Sequence, residues 1–149
     1  MRLTKPDRQA LGSMFGGLCA YCGKRLGERW HADHVVPVER KLAVKDGRIV
    51  ATSEMHRPQH DTVANLFPAC APCNIDKHTL SLEGWRRKLQ DACNVLTRNQ
   101  PTYRHAMRFG LVVETGVTVT FHFERVASAC SKADDATSAV AAAGVASEA

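Results

Sequence analysis

Two C-x2-C pairs, Cys19/Cys22 and Cys70/Cys73, with 47 residues between them, constrain this chain more than any other feature. A two-residue gap lets both sulfurs of a knuckle face one ion. Two such knuckles supply the four thiolates of a closed tetrahedral zinc site. The competing readings are a pair of disulfides and a redox C-x-x-C. Disulfides belong to oxidising compartments, and no signal-peptide pattern is legible near the start. Ala10–Ala20 is mildly apolar, but glycines interrupt it and no basic segment and small-residue cleavage site frame it. A redox motif leaves the second pair unexplained. The expectation is a structural Zn²⁺ held by Cys19, Cys22, Cys70 and Cys73, with no open position for catalysis. Cys93 is expected in the core and Cys130 as a free thiol in a C-terminal tail.

The staple matters because the core is thin. The chain has 149 residues, about one domain, and only 6% of them are aromatic. Small domains with little to bury usually need a metal or disulfides. No run of 18 apolar residues exists, so no membrane-spanning helix is expected, and the chain reads as cytoplasmic. The Ala/Ser-rich stretch 127–149 lacks aromatics and leucine and is expected to be a disordered tail. It carries a net −2, so the chain's overall +5 leaves +7 on residues 1–126, the expected folded domain. A basic surface favours a polyanionic partner through counterion release, although a solvated basic face explains the charge equally well.

The expected elements are few. Lys5–Met14 reads as a short helix, Arg29–Val36 as a strand ending at Pro37, and Asp46-Gly47 as the turn of a small hairpin. Asn65–Ala69 is a short apolar piece, followed by a helix over Asn74–Thr79. Ser81 can cap a helix on which Trp85, Leu89, Cys93 and Leu96 share one face. Pro101 opens a further helix stopped by Gly110. The alternation of Val117, Val119, Phe121 and Phe123 with Thr118, Thr120 and His122 predicts a C-terminal β-hairpin over Leu111–Glu114 and Val117–Glu124.

Between and after the cysteines stand Asp33-His34 with Pro37, then Asn65-Leu66, then Cys73-Asn74 with Lys77-His78. In this order the chain resembles the HNH endonuclease family, the zinc-stapled branch of the ββα-metal nucleases. The resemblance covers residues 19–78, about half the chain, with residues 79–126 as a helical and hairpin extension. It implies an α+β fold around a ββα-metal (His-Me finger) core. It implies a metal-dependent hydrolase cutting phosphodiester bonds in double-stranded DNA to leave a 5′-phosphate and a 3′-hydroxyl. His34 would be the general base. Asp33 and Asn74 would hold a catalytic Mg²⁺, or another divalent ion such as Mn²⁺, with His78 a further ligand on the same side of the helix. Asn65 would fix the loop and orient His34. The layout is similar to small HNH proteins of bacteriophages and prophages, some linked to genome packaging, which would place it in the bacterial host cytoplasm with packaging proteins as possible partners.

The residue types suit that chemistry. A neutral imidazole accepts a proton near physiological pH, and a hard divalent ion suits the oxygens of Asp33 and Asn74. Neighbours on a strand point opposite ways, so Asp33 and His34 can share a site only where the strand twists or ends. Singly, Asp33-His34 reads as well as a surface pair, and Asn65 and Asn74 as turn or capping residues. Only their register with the cysteines carries the reading.

The spacing from His34 to Asn65 is long for the family, which makes Lys41–Thr62 an insertion whose Lys41, Lys45, Arg48 and Arg57 either meet DNA or are solvated. Pro58 argues against a helix joining His56 and His60. His31, His56 and His60 stay unassigned. Residues 75–110 hold seven positive charges against three negative, and Lys77, Arg86, Arg87 and Lys88 are the candidate phosphate contacts. The alternative function is a non-catalytic zinc-stabilised module that binds nucleic acid or a packaging partner.

Overall fold

Thr4 and Asp7 start the first helix, α1 (Lys5–Ser13), by a reciprocal capping box: the Thr4 hydroxyl accepts from the Asp7 amide while the Asp7 carboxylate accepts from the Thr4 amide. In the computed structural model, which describes residues 1–131, α1 leads into the first cysteine knuckle. There Cys19 N–H donates to the Lys24 carbonyl (2.8 Å) and Gly23 N–H to the Cys19 carbonyl (2.9 Å). Gly23 sits at φ +73° and an added Cβ would meet the His122 ring at 3.1 Å, so this turn requires glycine.

Two small antiparallel sheets follow. In the first, β1 (His31–His34) pairs with β4 (Leu66–Ala69), with Asp33 opposite Phe67 and His34 opposite Leu66. In the second, β2 (Arg40–Lys45) pairs with β3 (Arg48–Met55) around Asp46-Gly47. Both turn residues have positive φ, +50° and +72°, as a two-residue hairpin turn of the primed type demands. The expected insertion is thus an ordered ribbon. Single 3-10 turns at Pro58–His60 and Val63–Asn65 return the chain to β4.

The helices α2 (Ala71–Lys77), α3 (Leu82–Gln90), α4 (Ala92–Asn99) and α5 (Pro101–Arg108) come next. Ser81 caps α3 by accepting from the Gly84 amide at 3.1 Å. The stripe expected on one helix, Trp85 to Leu96, is broken: Asp91 (φ −85°, ψ 0°) ends α3 and its carboxylate is bonded by Asn94. Trp85 is therefore buried and Leu89 packs against the core, whereas Cys93 is only half-buried and Leu96 is exposed. The expected core role for Cys93 is corrected accordingly.

The C-terminal β-hairpin is also corrected. Residues 112–121 form no strand, and residues 122–131 are helical, here called α6. The amides that a hairpin would pair are satisfied elsewhere. Val119 N–H donates to Gln90 Oε1 (2.8 Å) and Phe121 N–H to Glu124 Oε2 (2.8 Å). His122 and Phe123 N–H donate to the Tyr21 and Ala20 carbonyls, each 2.8 Å. Glu124, the third residue of α6, accepts from the amide of Phe121 just before the helix, as one half of a capping box. The helix runs through residue 131, past the expected boundary at 126. The remainder of the expected tail lies outside the described residues.

The core sits where these pieces meet. Cys19, Tyr21, Ala69, Trp85 and Phe121 are buried, with Phe67, Leu89 and Phe123 against them. Tyr21 is central, edge-on to Trp85 (centroids 5.1 Å apart), and Trp85 stacks on Phe121 at 5.1 Å. A chain poor in aromatics has gathered most of them into one cluster, where each contributes about 0.5–1.5 kcal/mol beyond its buried area. The architecture is thus mixed helix and sheet, built beside a cluster of four cysteines.

Candidate functional site

The four knuckle cysteines converge. Their sulfurs all lie within 4.8 Å of one another, and Cys22 Sγ and Cys70 Sγ are 3.8 Å apart. Bonds of about 2.3 Å to a tetrahedral ion set sulfur separations near 3.8 Å, so the cluster has the dimensions to hold a metal ion. Among the described residues no other group of His, Cys, Asp and Glu does so. The charge distribution agrees. The hydrogen bond from Cys73 pulls the Cys19 thiol well below its ordinary value, against its burial, while Cys73 is pushed up by the same bond. Desolvation pushes up Cys70. Four thiols this close cannot all ionise without a cation among them.

Directly beyond the cluster, β1 ends at His34 and α2 begins after Cys70. The two bring Asp33, His34, Asn74 and His78 to the wall of one cavity of about 510 Å³, which Arg40, Leu42 and Ala51 of the β2–β3 ribbon line from the other side. The strand end is what allows adjacent residues to share the cavity. Asp33 is 7% exposed, and its Oδ2 accepts a hydrogen bond from the Tyr21 hydroxyl and an ion pair from Lys77 Nζ at 2.9 Å. Burial first, and then the Asp33 charge, push Tyr21 far above its ordinary value, so it stays a hydroxyl donor. Both contacts fall on one carboxylate oxygen.

His34 Nε2 lies 2.8 Å from Asp61 Oδ1. The Met1 amino group, and after it His34, hold the Asp61 carboxyl below its usual range, so Asp61 is the acceptor. Nε2 therefore donates to Asp61, and Nδ1 is the ring nitrogen outside that bond. Asn65 does not touch the His34 ring. Its amide donates to the Val36 and His60 carbonyls, both at 2.8 Å, and its Oδ1 accepts from Val36 N–H at 2.9 Å. It ties the segment after His34 to the turn before Asp61, and so acts on both partners of the pair. Asn74 is half-buried. His78 is not on the helical face that its spacing implied. It follows the last turn of α2 at φ +49°, ψ −126°, with Nδ1 3.1 Å from the Thr79 hydroxyl. A left-handed non-glycine residue carries strain of about 1–3 kcal/mol, here at the cavity wall.

Three of the four candidate phosphate contacts have other partners. Lys77 is fully buried, held by Asp33 and by the His34 carbonyl at 2.7 Å, and cannot reach phosphate. Arg86 bonds Glu83, Glu124 and the Val119 carbonyl and lies 4.5 Å over the Phe121 ring. It clamps α3 to the start of α6. Lys88 is half-exposed and paired with Asp76, and Arg87 is exposed. Sequence reasoning missed Asp61, Tyr21 and the burial of Lys77. Tyr21 lies inside the first knuckle, next to Cys22, which is the one signal that could have flagged it. His31 and His56 are exposed, and Pro58 opens only a 3-10 turn between His56 and His60.

Compared with protein-family models, with curated proteins and with solved structures, the chain matches none. Among the described residues no helix is long and apolar enough to cross a membrane.

Proposed function

We propose that the chain is a metal-dependent DNA endonuclease of the HNH type with a structural zinc at Cys19, Cys22, Cys70 and Cys73. The observation that carries this reading is the meeting of Asp33, His34 and Asn74 at one cavity, with His34 Nδ1 left free by the Asp61 bond. The β1–β4 pair running straight into α2 supports the ββα core that the sequence resemblance implies. Four thiolates match zinc better than any hard ion.

The donors at the cavity, a carboxylate, an amide oxygen and an imidazole, fit a divalent ion such as Mg²⁺ or Mn²⁺, held by Asp33 and Asn74 with His78 as a further ligand. Such an ion supplies charge neutralisation at the phosphoryl oxygens and the leaving oxygen. The chain's own residues do the rest. His34 Nδ1 takes the proton of the attacking water, and Asp61 stabilises the imidazolium that results. Asn65 keeps the His34 segment and the Asp61 turn in register. Tyr21 and Lys77 fix the Asp33 carboxylate with one oxygen turned away from both.

A second reading has its own support. Lys77 already neutralises Asp33, as expected of a zinc-stabilised binding module without catalysis. Plasmid DNA incubated with Mg²⁺ or Mn²⁺ separates the two. Nicking or cutting by the wild type that His34→Ala abolishes supports the nuclease. Wild-type and variant proteins that are equally inactive, yet both bind DNA, support the module.

A further inference from the structure

The β2–β3 ribbon has no role in the core. Every residue of β2 is exposed, and so is most of β3. The ribbon is joined to the body at its base, by His56 N–H to the Glu39 carbonyl (2.9 Å), Arg57 N–H to the Val38 carbonyl (3.3 Å) and the Arg57–Glu39 ion pair. An isolated two-stranded hairpin is marginal in water, so its persistence as a projecting arm calls for a partner.

Its two faces differ. Leu42, Val44, Ile49 and Ala51 share one face by register, and the first three are 68–75% exposed. Leu42 and Ala51 on this face, with Arg40, also line the cavity of Asp33 and His34. On the other face Lys45 stands directly opposite Arg48. Like charges directly across a ladder destabilise it, and neither has a salt-bridge partner among the described residues, whereas Lys41 is paired with Glu54 at 3.0 Å. Residues 40–55 carry four positive charges against two negative. An unpaired basic tip on a ribbon whose base forms the wall of a candidate phosphodiester site is complementary to a duplex lying across that site.

We infer that the β2–β3 ribbon lies in the major groove of double-stranded DNA bound across the Asp33–His34 cavity, with Lys45 and Arg48 at phosphates and Leu42, Val44 and Ile49 against base edges. A major groove about 12 Å wide admits a two-stranded ribbon, and apolar side chains there meet thymine methyl groups. Six residues of strand reach about 20 Å, or roughly six base-pair steps at 3.4 Å each. This inference rests on the nuclease reading for the identity of the ligand.

The test is binding of a fluorescent 20-base-pair duplex by the full chain, without added divalent ion, over a salt series, for the wild type, Lys45→Ala/Arg48→Ala and Val44→Asp/Ile49→Asp. The basic double variant is expected to weaken duplex binding on the order of tenfold and to lower the salt slope by about 2. The apolar pair is expected to weaken binding with the slope unchanged. Because Val44, Lys45, Arg48 and Ile49 are all exposed, both variants should keep the wild-type melting temperature. Equal competition by single-stranded DNA overturns the groove assignment. Wild-type duplex binding and salt slope preserved in both variants overturn the ribbon's role while leaving the nuclease reading intact. A change from dimer to monomer in Val44→Asp/Ile49→Asp, with DNA binding unaffected, overturns it in favour of an interface between copies. A wild type that neither binds nor cuts DNA defeats the nuclease reading itself, and the inference with it.

Discussion

The two sheets of the described residues are alike in strand number and antiparallel pairing and opposite in circumstance. β1–β4 has a buried carboxylate, a buried lysine and an aromatic cluster behind it, and the cysteine cluster is at its edge. β2–β3 has longer strands, a well-formed turn and almost nothing behind it. The contrast shows that strand length and turn chemistry form a ladder, whereas burial decides what the ladder is for. The candidate site lies at the seam, where a wall from β1 and α2 faces a wall from the exposed ribbon.

The largest effect should come from the β1–α2 side. Cys70→Ser removes one of four sulfur donors from a cluster that could hold a metal ion, and in small zinc modules such an ion contributes about 10–16 kcal/mol. The variant should lose its cooperative melting transition and its bound metal, both read by calorimetry with metal analysis. A normal transition without metal would remove the staple from the account. At the seam, His34→Ala should lower plasmid cleavage by about 10²- to 10⁴-fold, the usual span of general-base catalysis, with duplex binding retained. Cleavage within threefold of wild type would exclude His34 as the base.

Behind the site, Arg86→Ala should cost about 1.5–3 kcal/mol, the range for hydrogen bonds to charged groups, read as a fall in denaturation midpoint. This pair also sets a pH dependence. Arg86, first among its neighbours, holds Glu124 below its usual value. A depressed carboxylate pKa stabilises the fold above the unfolded-state value, near 4.3, and that contribution disappears as pH falls through the folded-state value. Wild-type stability should therefore drop below about pH 4 more steeply than that of Arg86→Ala. Parallel acid limbs would show that the clamp contributes nothing. The smallest effect belongs to the ribbon. Its amides should exchange with deuterium faster than those of β1–β4 in the free protein, and equal protection would erase the distinction between the two sheets.

What the sequence made legible was local chemistry with a fixed geometry. The paired cysteines, the Ser81 cap, Pro101 at a helix start and the Asp46-Gly47 turn each act within a few residues, and each stands where expected. The convergence of the four sulfurs also agrees with the spacing, and Asp33, His34 and Asn74 share a cavity wall, which His78 reaches from the turn after α2 and not from its helical face. Apart from the helix break at Asp91, which Asn94 secures locally, the misses are non-local. The alternation from Val117 to Phe123 satisfies a strand, but Gln90, Glu124 and the Ala20-Tyr21 carbonyls claim its amides. Lys77 reads as a surface charge because nothing nearby in sequence shows that Asp33 lies across from it. Asp61 reads as a polar loop residue because its partner is 27 positions away.

α2 is only seven residues long, about 10 Å. Cys70 is its cap, Cys73 and Asn74 sit on its middle turn, Lys77 is its last residue and His78 ends it. Two centres are therefore strung on a single short spindle. Any tilt forced by emptying the sulfur cluster is transmitted to Asn74, to Lys77 and through it to Asp33. If the cluster holds a metal ion, its removal by chelation should therefore disturb the Asn74 and Asp33 end of the helix before the chain as a whole unfolds.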